Sequence, residues 1–243
     1  VTSPSQTDAG TPSADSNVEI NTAKIEKKDG VPAAAARPGH TLRLSRPTLE
    51  ASSMPQYRRN FAPGGTYFFT CVVHRRRPIL STALGRTCLR SAIRKVRGDH
   101  PFEIVAIVLL PNHWHTVWTL PPGDAQYPLR WMPIKEEFTK AWLAAGGSEA
   151  SQSASRSAHR LRGLWQKRYW EHTVRDESDL ERCVDYVHWN PKKHKLVSRV
   201  SDWRWSSFHR FVRRGQYDLN WGASDPTPGW NDPEWGEVGN AGE

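Results

Sequence analysis

The chain has 243 residues, 34 Lys+Arg against 25 Asp+Glu and a formal net charge of +9, which is room for one domain of ordinary size with tails. Three cysteines without a C-x-x-C pair, and no clean apolar run longer than the seven residues Ile104 to Leu110, argue against a disulfide-stapled scaffold and against a membrane-spanning helix. The positive charge belongs to the body: Tyr57 to Trp221 holds 28 Lys+Arg and 14 Asp+Glu, a balance that favours a polyanionic partner, nucleic acid first, although a solvated basic surface gives the same count.

Residues 1–50 are rich in Ser, Thr, Ala, Pro and charge. They carry too little apolar surface to offset the entropy of ordering, so a disordered tail is expected. The first thirty residues have no signal-peptide core, and a soluble cytoplasmic protein is expected. Thr66 to His74 (TYFFTCVVH), entered through Pro63-Gly64-Gly65, is aromatic and β-branched and reads as a strand. Ser81 to Arg97 places Leu84, Cys88, Leu89, Ala92, Ile93 and Val96 on one side, the stripe of an amphipathic helix. Phe102 to Leu110 reads as a buried strand, Pro111-Asn112 as a turn, and His113 to Leu120 as the neighbouring strand. Leu129 to Leu143 follows as a helix with Pro133 in its first turn, then Ala144 to Ala158 (AAGGSEASQSASRSA) as a flexible insertion. Trp165 to Val174 reads as a strand of mixed polarity. Ser178 and Glu181 form a capping box that opens a helix with the stripe Leu180, Cys183, Val184 and Val187. Pro191 predicts its end near Asn190. Residues 222–243 read as a flexible acidic tail in which Trp230 and Trp235 stand out. The order strand, helix, strand, strand, helix, strand, helix predicts an α+β fold, an antiparallel sheet with helices packed on one side.

The chemistry concentrates in two segments. In PNHWHTVW, His113 and His115 share one face of a strand and Trp114 takes the other. Two imidazoles at this spacing can clamp a divalent cation, and the spacing alone also serves zinc. In DYVHWNP, Tyr186 and Asn190 are one helical turn apart, at the edge of the apolar stripe. An amide oxygen from Asn190 as third ligand suits magnesium or manganese. A phenol with a pKa of about 10 is a poor nucleophile at neutral pH and becomes useful when a cation polarises the phosphate it attacks. Tyr67 and Tyr169, in predicted strands, read as structural. Cations and rings interleave in Arg168-Tyr169-Trp170, in Trp189 to Lys195 and in Trp203 to Arg214, so Arg168, Lys192, Lys193 and His194 are candidate DNA contacts. A metal clamp beside a tyrosine is the equipment for cutting a nucleic-acid strand through a covalent phosphotyrosine. Two other classes use part of it. A catalytically silent hairpin-DNA-binding protein would not need all four of His113, His115, Tyr186 and Asn190. A zinc hydrolase would cleave with water and form no adduct.

PNHWHTVW, WQKRYWEHTVRDESDLERCVDYVHWNPKKHKLV and DWRWSS, preceded by Tyr57-Arg58-Arg59 and GGTYFFT, resemble the REP-associated tyrosine transposases, single-tyrosine members of the HUH group. The resemblance covers about residues 57–210. It implies a transposase domain at about 57–214 with a ferredoxin-like HUH endonuclease fold and His113 and His115 on a central strand. It further implies Tyr186 as nucleophile, Asn190 completing the metal site, and Mg²⁺ or Mn²⁺ as cofactor. The implied partner is single-stranded DNA bearing an imperfect hairpin, with Tyr57, Arg58 and Arg59 reading a short sequence at its foot. Cleavage would leave a 5′-phosphotyrosyl enzyme and a free 3′-hydroxyl able to rejoin strands. Relatives occur as dimers, while this branch is compatible with a monomer.

Overall fold

The aromatic and β-branched run at Thr66–Val72 becomes β1 in the computed structural model, which describes residues 59–159 and 162–223. The predicted tail at 1–50, Tyr57, Arg58, Trp230 and Trp235 lie outside these residues. After β1 come α1 (Ala83–Asp99), β2 (Glu103–Leu109), β3 (His113–Thr119), α2 (Pro128–Ala144), α3 (Ala154–Ala158), β4 (Trp170–Thr173), α4 (Glu177–Lys193) and α5 (Phe208–Arg213), with three short 3₁₀ turns between them. The sheet is antiparallel in the order β2-β3-β1-β4. Helix α1 connects β1 to β2 and α2 connects β3 to β4, so both β1 and β3 end up central. Among the described residues no helix is long and apolar enough to cross a membrane.

The register decides which side chains meet. Cys71 faces Trp114, Phe69 faces Thr116 and Tyr67 faces Trp118. This face packs under α1 and α2 in one apolar cluster that includes Leu89, Ile93, Trp131 and Phe138. Rings dominate it: Trp131 stacks on Trp118 at 4.6 Å and on Tyr169 at 4.8 Å between centroids. Slipping β3 by one residue would exchange every inward ring for a histidine or valine, so the pairing is strongly specified. On the other face, Phe68, Val108 and Val117 pack with Cys183, Val184, Tyr186 and Val187 of α4.

The predicted α+β antiparallel sheet is therefore present, with one refinement. Helices α1 and α2 share one side as expected, whereas α4 covers the opposite side, because the even-numbered residues of β1 are also apolar or small. Three boundaries move. The strand predicted from Trp165 begins only at Trp170; Trp165 itself makes an isolated bridge to Val73. The start of α4 is capped by Asp176, whose carboxylate accepts from the Asp179 N–H at 2.8 Å, while the Ser178 hydroxyl donates to Asp176 rather than capping the helix itself. The helix also continues through Pro191 to Lys193. Proline removes one amide donor, and burial of Asn190 and Pro191 holds the last turn in place.

Candidate active site

Both histidines of β3 point to the α4 side of the sheet, paired across from Val72 and Thr70. Their rings lie 4.9 Å apart at 87°. Each is oriented through Nδ1: His113 against the Asn112 side-chain oxygen at 2.6 Å, and His115 against the Thr70 hydroxyl at 2.8 Å. With Asn112 accepting, His113 carries its proton on Nδ1 and presents a lone pair at Nε2. Burial lowers the pKa of His113 to about 3, helped by His194, Arg76 and Lys193. Burial likewise holds His115 well below the ordinary value, helped by His113, His194 and Lys193 and opposed by Asn190. Neutral imidazoles result, the form that binds a cation.

Asn190 and Tyr186 come from α4. The Asn190 amide nitrogen donates to the Tyr186 carbonyl at 3.3 Å, one turn back. Its Oδ1 is buried without a hydrogen-bond partner, and so is His115 Nε2. With the His115 proton on Nδ1, donated to the Thr70 hydroxyl, both atoms are acceptors facing each other, an arrangement that is costly unless something binds them. A divalent cation bound between imidazole nitrogen and amide oxygen would satisfy both. The Tyr186 ring stands edge-on to His115 at 5.4 Å and to Phe68 at 5.7 Å. It remains 8 % exposed while Cys183 and Val187 are fully enclosed, so it borders the packed stripe as its spacing predicted. Lys193 donates to Tyr186 Oη at 3.3 Å.

Of the predicted DNA contacts, Lys193 and His194 join this centre, His194 with its ring 5.1 Å from His113. Lys192 does not: its ammonium donates to the carbonyls of Gly222 and Ala223, both at 2.8 Å. Arg168 is exposed ahead of β4. Arg59 pairs with Glu171 of β4 at 3.2 Å and lies over the Tyr169 ring. Sequence reasoning missed Thr70, Asn112 and Arg76. Asn112 was legible as the residue preceding the H-x-H pair. Arg76 sits in a left-handed stretch with Arg75 (φ 47 and 53), strain of a kind that clusters at functional sites. Its neighbours Arg75 and Arg77 reach away to Ser151 and Ser148, whereas Arg76 is close enough to His113 to disfavour its protonation.

A second cluster, His172, Asp179 and Cys183, brings one ligand atom of each within 4.8 Å of the others. Its surroundings make it an ion-pair knot. Asp179 accepts from His172, from the Arg175 backbone and guanidinium and from Arg182. Burial pushes the Cys183 thiol up, away from the thiolate a metal needs. Burial also acts to raise Asp179, but the Arg175 N–H, His172 and the Arg175 guanidinium outweigh it and hold the carboxyl at about 2. Asp179→Asn is expected to lower stability by roughly 1–3 kcal/mol at pH 7. Because the folded carboxyl is depressed, that contribution is present above its ordinary pKa of 3.8 and disappears as the pH falls through about 2. Urea melts of both proteins at pH 7 and at strongly acid pH check this; a gap that persists in acid would contradict it.

Comparison with known proteins bears on the same region. The family described as "Transposase IS200 like" matches residues 63–190. The REP-associated tyrosine transposase of Escherichia coli (strain K12) is 45% identical over 174 residues, 72% of this chain and 94% of the relative. A solved structure described as "Structure of the REP associates tyrosine transposase bound to a REP hairpin" is similar at TM-score 0.57 and 41% identity, covering 72% of this chain and 96% of that one.

Proposed function

The chain belongs to the IS200-like transposases, in their REP-associated tyrosine branch, and from that premise we propose that it is a metal-dependent single-stranded DNA endonuclease and strand transferase acting at REP-type hairpins. We assign the activity to residues 57–214. One observation carries the reading: a tyrosine packed edge-on to a histidine whose free nitrogen, like the neighbouring amide oxygen, is buried and unsatisfied.

His113, His115 and Asn190 would hold the cation. Two nitrogens and an amide oxygen, with no thiolate, suit Mg²⁺ or Mn²⁺. When bound, such an ion supplies Lewis-acid polarisation of the phosphoryl group. The protein does the rest. Tyr186 Oη attacks phosphorus; the Oη–P bond forms as the P–O3′ bond breaks. The phenolic proton passes from Oη to solvent water, and the departing 3′ oxygen takes up a proton from solvent. The product is a 5′-phosphotyrosyl enzyme and a free 3′-hydroxyl. In reverse, a 3′-hydroxyl attacks the phosphotyrosine, restoring a phosphodiester and the phenol. One phosphate ester replaces another, so no ATP is consumed. Lys193 keeps a positive charge 3.3 Å from Oη, where it stabilises that oxygen as it leaves during rejoining. Arg76 adds charge that can hold the phosphate.

The test is incubation of the full chain with hairpin-bearing single-stranded DNA and Mn²⁺. A denaturant-stable protein–DNA adduct and a cleaved strand ending in a 3′-hydroxyl are expected, both abolished by chelator. DNA binding without cleavage would assign the chain to the silent binders. Cleavage without an adduct would point to water as nucleophile, as in a zinc hydrolase.

A further inference from the structure

Helix α1 carries Arg86, Arg90, Arg94 and Arg97 along one side, at i, i+4, i+8 and i+11, spanning about 16 Å. With Leu89 and Ile93 of the helix, Ile104, Ile107 and Leu109 of β2, and Trp205, they line a groove of about 370 Å³ without an acidic residue. Arg86 and Arg204 both lie over the Trp205 ring, at 3.8 and 4.8 Å from its centroid. Arg97 donates to the Phe102 carbonyl at 3.0 Å, and Arg210 to the carbonyls of Ile104 and Val105. These arginines are held by backbone carbonyls and a ring rather than by carboxylates. Arg90 and Arg94 are exposed, and among the described residues neither has a carboxylate partner. Arg210 of α5 lies close enough to Arg97 of α1 for the two guanidiniums to repel.

The groove is not part of the cleavage centre. Ile104, Ile107 and Leu109 lie opposite Trp118, Thr116 and Trp114, on the α1 face of the sheet, whereas His113 and His115 occupy the other. Both places nevertheless adjoin the β2–β3 hairpin, whose outer edge is covered by residues 205–207, so DNA passing around that segment would reach both. The helix rise from Arg86 to Arg97, about 16 Å, is the axial length of roughly five nucleotides of one duplex strand. The groove's one aromatic, Trp205, is already covered by guanidinium, which argues against a platform for stacking unpaired bases.

We propose that the α1/β2 groove is a second DNA site that grips the phosphate backbone of the hairpin's paired stem, independent of its sequence. The inference rests on the hairpin-DNA reading above and adds the surface that holds the stem. Arg90→Gln/Arg94→Gln removes two exposed charges without touching the core or the catalytic side chains. Binding of a fluorescent hairpin, and of an unpaired oligonucleotide with the same cleaved segment, is measured by anisotropy across a salt series. For the hairpin, the variant should bind about tenfold more weakly, with a log–log salt slope shallower by about 2. For the unpaired strand, affinity and the rate of adduct formation should be unchanged. An unchanged hairpin affinity and slope would overturn the proposal, as would equal losses on both substrates. If the wild-type chain itself forms no adduct and binds neither DNA, the enzymatic reading fails with it; adduct formation by wild type, with a variant indifferent to the stem, sinks the groove alone.

Discussion

Tyr186→Phe should fold, bind hairpin DNA with affinity within about threefold of wild type, and cut none of it. The substitution keeps the ring that packs edge-on against His115 and Phe68 and removes Oη, with its contact to Lys193. A hydrogen bond of this kind contributes about 1 kcal/mol, so the protein should unfold at nearly the wild-type urea concentration. The chemistry has no such reserve: without Oη there is no atom to form the covalent link, and a loss of at least 10³-fold in strand cleavage is expected. Denaturing gels with labelled DNA report adduct and product together. Residual cleavage near the wild-type rate would remove Tyr186 from the nucleophile's role.

His115→Ala should have an effect nearly as large through a different route. It deletes one proposed cation ligand and also the wall against which Tyr186 is set, so cleavage should fall by roughly 10²–10³-fold. A purely structural role for the ring would lower stability too, hence a second readout is needed. If the cation binds here, added Mn²⁺ raises the wild-type melting temperature by mass action and leaves the variant's unmoved. Equal Mn²⁺ stabilisation of both proteins would contradict the assignment.

Much of this site was readable because it is local. Alternation in PNHWHTVW puts both imidazoles on one face whatever else the chain does, and the four-residue step from Tyr186 to Asn190 puts phenol and amide on one side of any helix. What depends on pairing was not readable. Thr70 orients His115 only because β1 lies opposite β3 in this register, and no pattern within one strand states its partner. Lys193 was marked as a DNA contact on charge alone. Its place beside Tyr186 follows from α4 continuing through Pro191; seven residues bring a side chain back to nearly the same helical face, and a helix stopped at Asn190 hides that. The helices on one side of the sheet were foreseen from element order. The covering of the other side by α4 required seeing that Phe68, Val108 and Val117 also form an apolar surface.

Crystals of the full chain soaked in Mn²⁺ and measured at the manganese absorption edge ask whether the cation sits where the account needs it. The prediction is one strong anomalous peak within coordination reach of His113 Nε2, His115 Nε2 and Asn190 Oδ1, beside the Tyr186 hydroxyl. A peak among His172, Asp179 and Cys183 with none at the β3 histidines would contradict it.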